Sequence, residues 1–161
     1  TDKWLLQVKE AVTSRYHTAQ NKTYLVGLGG GAHYAAYLGI RYPNEFSGVG
    51  LLKAAWSGKF EDLMQPKKTP DRQLPFYAAV DPASQATARS NLEMANELES
   101  FGYPVLLKEV AANEDLATSS ARTELLDWLE DKSQSWVVIQ EQYENTLAGK
   151  TKKIMKGLVS V

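Results

Sequence analysis

The sequence predicts an α/β fold, a three-layer sandwich with a mostly parallel sheet, and three observations lead there. Short apolar runs rich in strand formers alternate along the chain with segments whose apolar residues recur at helical spacing. Antiparallel neighbours can be joined by tight turns, whereas parallel strands need a long crossover, usually a helix, so this alternation points to parallel pairing. The strand runs are also near-continuous in apolar residues, as expected when helices cover both faces of the sheet. A length of 161 residues fits one domain, or one domain plus a fragment of another. Residues 1–132 carry the alternation. Residues 133–161 form an extra C-terminal segment or the start of a neighbouring domain.

Each element has its own signal. Trp4, Leu5, Val8, Ala11, Val12 and Tyr16 are spaced for a first helix, with Asp2 placed to cap it by accepting backbone N–H bonds. Thr-Tyr-Leu-Val-Gly-Leu at 23–28 reads as a strand. Three glycines follow, then a helix from Ala32 to Ile40 whose small residues, Ala32, Ala35, Ala36 and Gly39, allow close packing on a sheet before Pro43 stops it. The run from Phe46 to Ala55 is a second strand. Residues 57–74 are polar and read as a loop with one helical turn near 60–64. Leu74 to Val80 is a third strand. Ser84 precedes a helix with Ala88, Leu92, Ala95, Leu98 and Phe101 on one stripe, ending at Gly102. Pro104 to Val110 is a fourth strand, and 117–132 a last helix with Ala121, Leu125, Trp128 and Leu129 inward. Trp136 to Ile139 is one more apolar run.

Composition excludes several classes. Hydrophobic residues at 43% and charged residues at 23% do not suit a disordered, collagen-like or coiled-coil chain. With no cysteine, a disulfide scaffold, a thiolate nucleophile and a Cys-ligated zinc are ruled out. Two histidines, His17 and His33, are too few for a centre built from several His ligands, so no metal is expected. A net charge of −1 creates no global field for nucleic acid or an anionic membrane. No run approaches the roughly 20 apolar residues of a membrane helix, and no signal peptide is visible at the start. The chain does not begin with Met, which suggests processing or a piece of a longer protein. Charge is uneven: residues 81–131 hold eleven acidic and three basic side chains. These lie mostly on expected helices, as solvated faces or as an acidic patch for a basic partner. The lysines at 150, 152, 153 and 156 include no aromatic residue to stack a base.

The most informative stretch is Gly27-Leu28-Gly29-Gly30-Gly31, between a strand and a helix. Gly27, Gly29 and Ala32 fit a G-x-G-x-x-G/A dinucleotide fingerprint, in which backbone N–H groups cradle a phosphate. That reading wants an acid at the end of the next strand to hold a ribose, and Lys53, Ala54 and Ala55 stand there. Neither NAD nor FAD is therefore expected, nor any other cofactor. The second reading is a nucleophile elbow, G-x-S-x-G, whose small residues permit a sharp bend between strand and helix.

The surrounding sequence resembles the α/β-hydrolase superfamily, especially esterases of the polyhydroxybutyrate depolymerase and feruloyl esterase type. The shared order is the strand at 24–28, the elbow at 27–31, the small-residue helix at 32–41, then Tyr42-Pro43 with Phe46 and a new strand at 48–55. The strand–helix–strand–helix from Pro75 to Trp128 follows the C-terminal half of that fold, and the resemblance spans roughly residues 3–132. It implies a catalytic triad at Gly29, Asp81 and Glu114, and an oxyanion donor at the Gly30 N–H. The polar residues depart from the pattern. Gly29 has no side chain with which to form an acyl-enzyme. Asp81 stands a few residues early, and Glu114 occupies the position of the histidine, whose acid-and-base relay a carboxylate cannot take over unchanged.

Other candidates have structural and functional readings side by side. His33, in the first turn of the helix after the elbow, is a packed or solvent-facing histidine or lines a pocket mouth. Trp56, at a strand end, covers the core or stacks on a ligand ring. His17 suits a helix C-terminus. Glu114 and Asp115 offer too few oxygens for a metal. The leading expectation is a degenerate hydrolase-like domain that serves a larger parent protein, or binds a small-molecule ligand, without catalysis. An active esterase fragment, with strands outside this chain or an altered Gly29, is the alternative. A nucleotide-binding domain is the third.

Overall fold

In the computed structural model, residues 2–19, 21–54, 72–110 and 120–134 are described. The expected helical turn at 60–64, Trp56, Glu114 and the segment from 135 lie outside them. In chain order the elements are α1 (Asp2–Arg15), β1 (Tyr24–Leu28), α2 (Gly30–Arg41), β2 (Gly48–Leu52), β3 (Phe76–Val80), α3 (Gln85–Ser100) and β4 (Val105–Glu109), followed by α4, a helix over 120–134. The four strands form one sheet in the order β1-β2-β3-β4. Every pair is parallel, with Val26 opposite Gly50, Leu51 opposite Ala78 and Tyr77 opposite Leu106. The expected α/β sandwich is therefore the observed one.

Alternation along the strands divides the core in two, because successive side chains point to opposite faces. Val49, Leu51, Phe76 and Ala78 pack with Ala32, Ala36 and Leu38 of α2 and with Met94 and Leu98 of α3. On the other face Tyr77 and Ala79 pack with Leu125 and Leu129 of α4, which also sit over Gly50 and Gly48 of β2. All five residues of β3 are buried, while β1 and β4 are only partly so. The two edges differ. β4 ends in exposed Lys108 and Glu109, and Lys108 pairs with Glu124 of α4 at 2.8 Å. β1 carries no charge, and its Val26 and Leu28 are 51% and 63% exposed.

Three helix expectations need correction. Asp2 is not a cap for α1. Its carboxylate instead accepts hydrogen bonds from the hydroxyls of Tyr34 (2.9 Å), Tyr37 (3.0 Å) and Tyr42 (3.4 Å), clasping α1 to α2 and the turn beyond it. The stripe of Trp4, Val8, Val12 and Tyr16 faces outward, with Trp4 66% exposed, while Leu5 and Leu6 pack on the core. The Asp2 clasp and a 2.7 Å ion pair between Lys9 and Glu45 set that rotation. On α3, Leu92 is exposed, and the buried stripe is Asn91, Met94, Ala95 and Leu98.

The clasp should be pH-dependent. Desolvation works to raise the Asp2 pKa, but the three tyrosine hydroxyls together outweigh it and hold the carboxyl below its usual value. A depressed folded-state pKa contributes stability above the unfolded-state value, and that stability is lost as the pH falls through the ordinary carboxylate range and below it. Asp2→Asn should lower Tm at neutral pH. The gap to the unmodified chain should close as the pH drops below about 4, the usual carboxylate range. A gap of constant size across a pH series would show that the ionised form is not what the tyrosines hold.

Candidate functional site at the C-terminal edge of the sheet

The ends of β1, β2 and β3 meet the N-termini of α2 and α3 at one edge, where open parallel sheets place their ligands. Gly29 sits at the apex between β1 and α2, with φ 56° and ψ −120°. This is positive φ, yet ψ takes it outside the left-handed helical region. Its N–H donates to the Leu52 carbonyl at 2.9 Å, fastening the bend to β2, and its carbonyl accepts the Ala32 N–H at 3.1 Å. A Cβ added at Gly29 would meet nothing within 4 Å. The apex therefore has room for a side chain, and only the backbone angle opposes one.

Gly27 has the opposite character. A Cβ there would overlap the Gly31 carbonyl and the Ala32 Cα, so strand and helix touch backbone to backbone. Gly30, the first residue of α2, is exposed. The N–H groups of a helix's first turn have no intrahelical partner, and Gly30 stands in that turn. The elbow thus presents oriented N–H dipoles, and its apex residue, Gly29, has no side chain to act as a nucleophile.

Asp81 follows β3 directly, with β2 between it and Gly29, which makes the separation about 10 Å at the usual strand spacing. Its Oδ1 accepts the Ala83 N–H at 2.9 Å and its carbonyl the Ser84 N–H at 3.3 Å. The carboxylate is thus tied into the turn that starts α3. His33, in the first turn of α2, is half-buried. His17 lies just beyond α1 and lines a polar cleft of about 400 Å³ with Lys9, Thr13 and Asn21, at the opposite end of β1 from the elbow. Among the described residues, no three His, Asp or Glu side chains converge to hold a metal ion.

Two features of this edge escaped the sequence reading, the backbone conformation of Lys53 and the burial of Asn91. Lys53, at the end of β2, has φ 49° and donates its N–H to the Ala79 carbonyl at 3.0 Å. Non-glycine residues held at positive φ are uncommon and strained, and they cluster at functional sites. No local pattern marks the position. Asn91 is buried, and its side-chain amide donates to the carbonyls of Ala54 and Thr87, both at 2.8 Å, fixing the end of β2 to α3. Its signal was present: a polar residue in phase with Met94, Ala95 and Leu98.

Among solved structures, the chain is similar to a carboxylesterase from Bacillus cereus, with a TM-score of 0.56 and 18% identity over 82% of this chain. It is also similar to S-formylglutathione hydrolase (FrmB) from Staphylococcus aureus, with a TM-score of 0.57 and 13% identity over 79% of this chain. In each case the match spans 59% of the other protein. No family model matches the chain, and no curated protein does. At these identities the likeness is one of fold, and that fold is the α/β-hydrolase type. No helix among the described residues is long and apolar enough to cross a membrane.

Proposed function

We propose that this chain is a catalytically impaired esterase-like domain, which serves as a binding or structural part of a larger protein, with the rest of that parent or a small-molecule ligand as its partner. The observation that carries the reading is Gly29 at the strand–helix apex, with an elbow's backbone and no side chain. Ester cleavage by the serine route needs a hydroxyl at that point and a base to activate it. The elbow keeps its shape and its N–H donors, features that suit binding of a carbonyl or an anion without covalent chemistry.

One observation favours the alternative of an active esterase altered at position 29: the space beyond Gly29 is open. Gly29→Ser separates the two readings. The variant should fold, with a loss on the order of 1–3 kcal/mol for a non-glycine residue in a sparsely populated backbone region. Both proteins are assayed with short-chain nitrophenyl esters. Neither should exceed a buffer blank. Turnover by the unmodified chain that a serine-directed phosphonate abolishes would overturn the impaired reading. Turnover gained by Gly29→Ser would instead establish the altered esterase.

A further inference from the structure

The bend at the end of β2 is anchored on both sides. The peptide unit between Leu52 and Lys53 is planar, and each end of it is bonded. Its carbonyl accepts the Gly29 N–H at 2.9 Å, and its N–H donates to the Ala79 carbonyl at 3.0 Å. That unit joins β2 to the elbow on one side and to β3 on the other, so the sheet sets its orientation. One residue on, the chain has turned out of the sheet. Ala54 is buried in the layer formed with α2 and α3, and its carbonyl accepts the Asn91 amide at 2.8 Å. The dihedrals of Lys53 and Ala54 alone connect the two anchored groups, and Lys53 takes up the turn with φ 49°.

Asn91 has the chemistry to hold such a bend. It is buried, and its side-chain NH2 carries two donors. One goes to Ala54 and the other to the Thr87 carbonyl, one turn back along α3, also at 2.8 Å. The Thr87 bond ties the amide to its own helix, which leaves little slack in the bond to Ala54. A buried carbonyl deprived of its donor keeps the full cost of its lost hydration, and that cost opposes any return of Lys53 to ordinary backbone angles. Lysine has no preference of its own for positive φ, where its Cβ crowds the backbone, and the residue is exposed. The force that holds the bend therefore comes from outside Lys53.

We propose that Asn91 is a positioning residue for the elbow. Through Ala54 it holds Lys53 at positive φ and so fixes the Leu52–Lys53 peptide to which the Gly29 N–H is bonded, a role that rests on reading the Gly29 edge as the site. Lys53→Gly and Asn91→Leu are compared singly and together in the full chain; leucine keeps the bulk of asparagine and removes both donors. Glycine meets no steric penalty at positive φ, so Lys53→Gly should raise Tm by roughly 2–4 °C, the shift expected for one relieved backbone strain in a chain of this length. In the Asn91→Leu background the same change should bring no rise, because Lys53 has already relaxed. Equal rises in both backgrounds would overturn the proposal. Amide exchange supplies the second readout. Asn91→Leu should accelerate exchange of the Gly29 N–H by about tenfold, the scale of one lost buried hydrogen bond. The Phe76 N–H, bonded to the Pro104 carbonyl at the opposite end of β3, should keep its protection. Equal acceleration at both amides would make Asn91 a residue of the core alone and would equally overturn the proposal. Should Asn91→Leu not fold, Asn91→Ala in the stabilised Lys53→Gly background gives the same Gly29-to-Phe76 comparison, with the same two outcomes. Neither readout uses ester turnover, so failure here is distinct from failure of the impaired-esterase reading.

Discussion

Phe76→Ala is expected to lower the free energy of unfolding by about 3–5 kcal/mol, the usual cost of emptying a buried phenylalanine site. β3 has neighbours on both sides and layers on both faces, and Phe76 within it has no exposed surface. Its ring meets Tyr103 edge-on, with centroids 5.7 Å apart and planes at 75°, and lies close to Gly39 of α2. Gly39 has no side chain to move into the void, and α2 is already held against Val49. Against a total stability of roughly 5–15 kcal/mol, typical of a single domain, this loss is large. Urea unfolding should show a lower midpoint with an unchanged slope. A loss below about 1 kcal/mol, well under the range for such sites, would show that Phe76 is not enclosed as described.

Gly27→Ala should cost about 1–3 kcal/mol or more, the range for forcing extra atoms into a close-packed site. The added methyl meets the Gly31 carbonyl and the Ala32 Cα, which are backbone atoms. No side-chain rotation relieves the overlap, so α2 must move off β1, disturbing Ala32 and Ala36 beneath it. Alanine gains about 0.4–1 kcal/mol by restricting the unfolded chain, too little to compensate. A thermal melt compared with that of Gly29→Ser tests the distinction. Gly27 is required by close approach, Gly29 by backbone angle. A stabilised Gly27→Ala would mean that the elbow is looser than its geometry indicates.

Position 29 also shows how far the candidate site was legible beforehand. The elbow pattern and its place between strand and helix are local, and so was the expectation of a sharp bend there, which Gly29 makes at positive φ. The capture of Asp81 by the Ala83 N–H two residues on is a local Asx turn, whereas the value of ψ at Gly29 and the strain at Lys53 are not local. They arise where three strand ends meet, and no spacing along the chain encodes that meeting. Trp56 and Glu114 lie outside the described residues.

The sequence by itself determined which segments are strands, which are helices, and that the strands run parallel. Hydrophobic runs, helical spacing and the stops at Pro43 and Gly102 act within a few residues, and the need for a crossover follows from strand and helix alternation alone. It also determined that α2 would lie close to the sheet, because Ala32, Ala35, Ala36 and Gly39 permit nothing bulkier there. Only the tertiary structure decided which stripe α1 buries and where the buried stripe of α3 falls. Asp2 fits the pattern of a cap, and its carboxylate is held instead by tyrosines 32 to 40 residues away, turning Trp4, Val8 and Val12 outward. Leu92 fits the pattern of a core residue, and Asn91 takes the buried place because the Ala54 carbonyl at the end of β2 needs a donor. An amphipathic pattern specifies that a helix has a buried side, whereas a hydrogen-bond partner remote in sequence selects the rotation, because a buried polar group left unpaired is costly.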